Sequence, residues 1–516
     1  MKTKYIIVLV YVTAVCMCTS GCKKFLKEVD PSNLAPATYF TTPDQAEAGL
    51  AAIYADTRFI AHGAAIFSFN WQLLDATTGI SRTESTENTN LSNLYTLTYD
   101  GNNLHVTNWW IGLYHVIANA NLVLAKVPGI NPMDPVEKKK VLGQAHFLRA
   151  WAYFYAVRIW GDIPLITQPQ TASSPDFLPT RTPQDQVYNL IVSDLQAADS
   201  SGLAWTDASG HASLAAVKAE LAKVYLTMAG QPLNKGAGYY KLAAEKALEI
   251  ITYANANPGQ IGLFPSYGDL HDVHKENVLE QLFEIQYQDG IDANSGLINL
   301  LPNFKPVTVY GLYGTGTTVP TQDFVNSYEP GDLRAVDRQG FFYSNYYTNG
   351  SGPLFSLGAP YLFKYFDVTS YGTQNVPGIG KENLNMMNIR YAEVLLTYAE
   401  AQDQADGAPN ADAYNALLQI RGRAQLSTPP LGSFSQQTFL EAVWRERWHE
   451  LCYEDILWFD MVRLRKVYNE MTNGFDDFVG HVNRSSSQTL QQKHLLFPIP
   501  QSEIYSNPNL KQNTGY

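Results

Sequence analysis

The 516-residue chain is short of cysteine, of positive charge and of long apolar runs. Of its four Cys, three (Cys16, Cys18 and Cys22) fall within the first 22 residues. Cys452 stands alone in the body of the chain, so neither an intrachain disulfide nor a cysteine zinc site can be built there. Against 48 Asp and Glu there are 36 Lys and Arg, a formal net charge of −12, and no basic stripe is visible. That balance argues against nucleic acid as a partner. Catalytic signatures are missing as well: there is no Gly-x-Ser-x-Gly elbow, no His-Glu-x-x-His and no P-loop. "YGTGTTVP" (313–320) is Gly-rich but lacks the Lys of a phosphate cradle, and reads as a loop. What the chain has in quantity is aromatic surface, with 32 Tyr, 23 Phe and 9 Trp.

The N-terminus sets the compartment. Lys2 and Lys4 precede an apolar run from Tyr5 to Cys18, too short to span a membrane as a mature helix and suited to a signal peptide. Thr19, Ser20 and Gly21 then lead to Cys22. The arrangement resembles a bacterial lipoprotein signal, in which cleavage before the Cys is coupled to its acylation. Thr19 stands where such signals usually carry Leu. Plain secretion with an incidental Cys is the alternative. Removing residues 1–21 makes the charge −14. Residues 22–35 mix charge, Asn and Pro and read as a lipidated tether, and 36–516 read as a single domain.

Helical patterning dominates that domain. "TTPDQAEAGLAAIYADTRFI" opens with Thr42 as N-cap, Pro43 at the first helical position and Gln45 completing a capping box. Trp110, Leu113, Tyr114, Ile117 and Leu124 have helical spacing. In "AHFLRAWAYFYAVRIWGDIPLI" (145–166), Phe147, Trp151 and Phe154 share one face, with Leu148, Tyr155 and Ile159 beside or opposite them. A helix apolar around most of its circumference must be buried on several sides, and Arg149 and Arg158 make protein the burying medium. Gly161 suits a left-handed cap, Pro164 forbids continuation, and Asp162 reads as a cap for the turn. Thr182 and Pro183 repeat the Thr-Pro start. Leu221 and Tyr225 then face the small Ala243, Ala244 and Ala247 across a helix pair, the signature of tetratricopeptide-like repeats. "MNIRYAEVLLTYAEAQDQADG" and "ADAYNALLQIRGRAQL" form another pair. "TFLEAVWRERWHELCYEDILWFDMVRLRK" reads as one last long helical stretch, with Cys452 a small core residue on it.

The chain therefore divides into residues 36–254, a region from 255 to 380, and 381–516. The middle region is rich in Gly, Pro, Asn, Ser and Tyr, with short strand-like runs such as "VLEQLFEIQY" and "YLFKYF". It reads as long insertions laid over the helical scaffold, where binding loops are expected.

Several segments together resemble the SusD/RagB family of outer-membrane nutrient-binding lipoproteins from the Bacteroidetes. They are the Cys22 tether, "FTTPDQAEAGLAAIY", "WIGLYHVIANAN", "AHFLRAWAYFYAVRIWGDIPLI", "TPQDQVYNLIVSDLQAA", "NIRYAEVLLTYAEAQ", "WRERWHELCYEDILWFDMVRL" and "LLFPIPQSEIYSNPNLKQNTGY". They follow in order from residue 22 to the C-terminus. The resemblance implies a mainly α SusD-like fold, with about four stacked tetratricopeptide-like helix pairs and irregular insertions forming the ligand face. It also implies a cell-surface protein lipid-anchored in the outer membrane through Cys22. Such a protein captures an oligosaccharide and delivers it to a SusC-type TonB-dependent transporter.

The acidic residues do not demand an enzyme. Glu393 and Glu400 lie on one face of a helix that repeat packing buries. With Arg390 they read as ion pairs between repeats, as do Glu446, Arg447, Glu450, Glu454, Asp460 and Arg463. His271 and His274 of "LHDVHKE" could share a face but read as solvated loop histidines, and neither a metal nor another cofactor is expected. A glycan needs flat aromatics for its C–H faces and polar groups for its hydroxyls. Trp110, Trp151, Trp160, Trp444, Trp448 and Trp458 belong to core helices, leaving Trp71, Trp109 and Trp205. The resemblance points to Trp71, Asp75 and Arg82 as ligand-binding residues. Trp109, near Asn102, Asn103 and Asn108, is similarly placed. Among the loop tyrosines Tyr310, Tyr313, Tyr343, Tyr346 and Tyr347, the first two are the leading stacking candidates. Peptide or glycopeptide cargo on the same fold, a surface glycoside hydrolase and a plain repeat scaffold are the competing readings.

Overall fold

The computed structural model describes residues 39–64, 66–294, 296–303, 314–347, 352–366 and 383–516. Eight helices carry the scaffold in chain order: α1 (Pro43–Thr57), α2 (Leu104–Lys126), α3 (Pro135–Trp160), α4 (Gln184–Asp199), α5 (Leu214–Ala229), α6 (Ala237–Ala256), α7 (Tyr391–Asp406) and α8 (Ala411–Arg423). They pack as pairs α1–α2, α3–α4, α5–α6 and α7–α8. The array is continuous because α2 also packs on α3, α4 on α5 and α6 on α7. α9 (Gln436–Glu450) lies against α7, and α10 (Leu457–Leu464) follows it. The mainly α fold implied by the sequence is what forms.

Local chemistry accounts for the helix boundaries. Thr42 accepts from the Gln45 backbone N–H, and the Gln45 side chain returns to Thr42, the capping box read from the sequence. α3 begins at Asp134, whose carboxylate accepts from Val136 and Glu137 N–H groups. Its second half is buried at almost every position from Ala145 to Trp160. Arg149 pays its way there by a two-pronged pair with Asp194, both contacts 2.8 Å, and a third bond to Asn121. Gly161 stops the helix at φ 77° and ψ −124°, a positive-φ conformation other than the expected αL cap. Asp162 then accepts the Gln184 backbone N–H at 2.9 Å, so the residue that ends α3 caps α4. Thr182 is not the cap of α4. Pro183 takes that position and has no side-chain donor or acceptor to offer, so the cap is supplied from Asp162. In α2, Gly112 allows Phe59 to press on the helix backbone, where a Cβ would meet the ring at 2.3 Å.

Two helical readings require correction. "MNIR" is not helical: Met386–Arg390 forms β6, antiparallel to β2 (Gln281–Ile285), and α7 starts at Tyr391. The last long stretch is also interrupted. Between α9 and α10 the backbone turns through Tyr453 (φ 62°) and Asp455 (φ 60°), and Cys452 lies buried in this turn and not on a helix. Such left-handed residues cost about 1 kcal/mol each. Arg390 donates to the Glu450 carbonyl at 2.6 Å, and Lys364 donates to those of Glu450 and Cys452 at 2.9 and 2.8 Å. These cations satisfy carbonyls left open where α9 ends.

The region from 255 to 380 supplies β2, β3 (Val319–Pro320), β4 (Phe342–Tyr347) and β5 (Leu354–Leu362). β3 pairs with β1 (Ser81–Arg82), and β4 with β5. This region carries an aromatic cluster of its own, built from Tyr343, Tyr346, Tyr361, Phe363 and Phe366. It is laid on the scaffold by β2, whose residues join the main core.

Candidate functional site

The sequence-predicted ligand residues disperse. Trp71 is only 2% exposed, stacked parallel to Phe69 at 6.0 Å. Trp109 is fully buried; its Nε1 donates to the Asn70 carbonyl at 2.6 Å, and Phe59 meets it edge-on at 5.2 Å. Asp75 is buried in the short helix Gln72–Asp75. These three serve the core: residues 68–78 tuck beneath the surface and do not form an open loop, and Trp109 lies on the buried face of α2 against them. Arg82 does retain an exposed guanidinium, 3.3 Å from Glu84. Asn103 caps α2, and Asn108 bonds Asn70 at 3.0 Å. Tyr310 and Tyr313 lie outside the described residues. Trp205 is half-buried and stacks on Tyr253 at 4.1 Å. The six tryptophans assigned to the core are all buried.

One cleft gathers the chemistry the sequence argument asked for. About 480 Å³ in volume, it is lined by the turn at Pro265–Gly268, His271, Arg338, Gln339, Tyr346, Tyr347 and Phe363. Tyr346 is buried against Phe366, their rings 5.1 Å apart, whereas Tyr347 beside it is partly exposed. The Arg338 guanidinium stands 5.7 Å from the Tyr347 ring centroid. Asp337 accepts from Arg338 Nε at 2.9 Å and, through its other oxygen, from the Ser344 backbone N–H. A left-handed Arg338 (φ 59°) aims the side chain this way. Tyr267 donates to Glu450 at 3.4 Å, with the Arg423 guanidinium 4.6 Å from its ring. The wall of the cleft is thus tied into the scaffold. The cleft offers a partly open aromatic face, a guanidinium and an exposed amide. Sequence reasoning named Tyr346 and Tyr347 but missed Arg338 and Tyr267, which carry no local signal.

The acidic residues behave as the sequence suggested. Arg390 pairs with Glu280 at 2.9 Å, Glu450 at 2.7 Å and Glu454 at 2.7 Å, all buried. Arg463 holds Glu400 through both oxygens and Asp460 at 2.8 Å, and Asp460 is shared with Arg447. Burial works to raise Glu450, but Arg423, Arg390 and Arg334 outweigh it and hold the carboxyl far below the usual range. His271 and His274 do not converge. His271 is buried and donates Nδ1–H to the Phe366 carbonyl, whereas His274 is exposed beside Asp272. No group of three His, Cys, Asp or Glu placed to hold a metal occurs among the described residues.

Comparison with known proteins agrees with this architecture. The model of the SusD family matches residues 334–516, and one described as starch-binding associating with outer membrane matches 64–226. A SusD superfamily protein from Parabacteroides distasonis, of known crystal structure, is 34% identical. The match covers 92% of this chain and 99% of that one, with a TM-score of 0.84. A SusD-like protein from Formosa agariphila is 25% identical over an alignment covering 100% of both chains. Surface glycan-binding protein A from Bacteroides fluxus shares the fold, with a TM-score of 0.73 at 22% identity over 92% of this chain and 100% of that one. The chain belongs to the SusD/RagB family.

Proposed function

We propose that this protein is a glycan-binding lipoprotein of the outer membrane, facing the cell exterior. It takes an oligosaccharide into the cleft beside the β4–β5 hairpin and passes it to a SusC-type TonB-dependent transporter. The observation that carries the reading is the Tyr347–Arg338 pair. The ring offers a face to a sugar's C–H groups, and the guanidinium and Gln339 amide take its hydroxyls. No Asp or Glu lines the cleft among the described residues, which favours holding a sugar over cleaving it. Cys22 is the acylated residue in this reading, and Arg82 and the tyrosines Tyr310 and Tyr313 remain proposed contributors to the ligand face.

Native affinity electrophoresis of the protein lacking residues 1–22, through gels containing a panel of polysaccharides, tests this. Retardation by one glycan supports the reading and names the cargo. No retardation by any would turn the assignment toward peptide cargo, and reducing sugar released by the purified protein would turn it toward hydrolysis.

A further inference from the structure

A second cavity, of about 640 Å³, shares no lining residue with the cleft. It lies where the C-terminal turn of α3, the start of α4, the end of α5, α10 and the segment 491–515 meet. Its walls are apolar at Val157, Tyr188, Phe459 and Leu496. In a chain with 48 acidic residues, no Asp or Glu lines it among the described residues.

Arg158, Arg463, Arg465 and Lys493 do line it. Arg463 is committed to Glu400 and Asp460. The other three make no ion pair among the described residues. Arg158 is clamped between the rings of Phe154 and Phe459, its guanidinium carbon 3.6 Å from each centroid, and its Nε donates to the Phe154 carbonyl. This sandwich fixes the guanidinium plane. Arg465 donates Nη1–H to the Val462 carbonyl at 2.8 Å, and Lys493 sits 5.0 Å from the Tyr516 ring centroid. Glu220 and Glu393 act on Arg158 only at a distance, since Lys223 holds both, at 3.0 and 3.4 Å. Burial pulls Arg158 and Arg465 below the ordinary guanidinium value, and at Arg158 it does so against Tyr155, Glu220 and Glu393.

We propose that this cavity is a second ligand site, taking a small organic carboxylate. The volume suits a molecule of mono- to disaccharide size. A guanidinium held between two rings presents its outer edge to a planar carboxylate, which it binds through two parallel hydrogen bonds. Arg465 and Lys493 add charge around the same space, Phe459 and Tyr188 receive an apolar body, and Gln184 and Gln231 serve hydroxyls. The carboxylate belongs either to an acidic sugar or to a simple aryl or alkyl acid.

Isothermal titration of the intact chain with D-glucuronate and with phenylacetate tests this, with D-glucose and inorganic phosphate as controls. At least one acid should bind at millimolar concentration or below while glucose and phosphate do not, and which acid binds decides the source. Lys493→Gln and Arg465→Gln, both at partly exposed residues, should each weaken binding about tenfold, as loss of a charge-assisted hydrogen bond does. Failure of both acids would overturn the proposal. So would phosphate binding as tightly as the acids, or a folded double variant that binds like wild type. None of these outcomes touches the polysaccharide test of the cleft.

Discussion

Asp75 and Asp455 meet in the core as two buried carboxyls within hydrogen-bonding reach of each other, so placed that one proton can serve both. The Asp455 backbone N–H also faces Asp75 and opposes the effect of burial on its carboxyl. Burial pushes Asp75 up to about 7 and is the leading cause for Asp455, where the Asp75 charge adds to it. The folded pair therefore keeps a proton that the unfolded chain releases above 3.8. Its contribution is full below that value and is lost as pH rises through about 7. Calorimetric melting points should fall as pH rises from about 4 to about 7 and level off above, and Asp75→Asn should flatten that slope. Glu284, raised to about 8 by burial, adds a limb of the same sign, so the slope shrinks without vanishing. An unchanged slope in Asp75→Asn would refute the shared proton.

Arg390→Met should lower unfolding free energy by about 3–5 kcal/mol, because Glu280, Glu450 and Glu454 would be left buried without their cation. Urea midpoints measure this. Arg390→Lys should rescue only partly, since an ammonium cannot reproduce the fork that spans three carboxylates.

Asp162→Ala should cost about 1 kcal/mol by uncapping α4, and Asp162→Asn should recover most of it. Thermal melting of both variants checks this. A loss of ligand binding without loss of stability would instead make Asp162 a ligand residue.

Tyr347→Ala should weaken glycan binding by roughly 1 kcal/mol and leave the circular dichroism spectrum unchanged, because the ring is partly exposed. Trp109→Ala should do the opposite, costing about 3–5 kcal/mol of stability through the void it leaves. Binding curves and melts of the two proteins, taken together, separate ligand face from core.

Cys22→Ala should move the protein from the membrane fraction to the soluble one and abolish labelling by a fatty-acid probe. Undiminished labelling would sink the lipid anchor.

Much of the scaffold was legible because its signals are local. The Thr42–Gln45 box, the stop at Gly161 and the crowding of apolar residues in α3 each act within a few residues. The ion pairs of Glu393, Glu400 and Arg463 were legible too, since charges on a helix that must be buried need partners. β6 was not, because Met386–Arg390 is too short for periodicity to separate strand from helix, and its partner lies a hundred residues away in β2. The turn at Tyr453–Asp455 was hidden for a related reason. Its carbonyls are satisfied by Arg390 and Lys364, which no local rule connects to it. Trp71 and Trp109 misled because aromatics near helix starts read as exposed until Phe69 and Phe59 are seen packed on them. Arg338 reaches the cleft through a left-handed turn against the hairpin, a placement only the folded chain expresses.

Glu280 is bonded to Arg390 and Arg423, so the loop-rich stretch is clamped beside β2 to β6 and α8, encoded more than a hundred residues later. Lys364 clamps its far side to the α9–α10 turn. Between these two anchor points the chain still carries part of the frame, since Phe283, Phe324, Tyr328 and Phe342 join the main core and Arg334 is buried against Glu446. The tolerance of this stretch to change is therefore divided residue by residue: exposed positions such as Gln339 are open to replacement, whereas the buried ones are bound to the frame beneath.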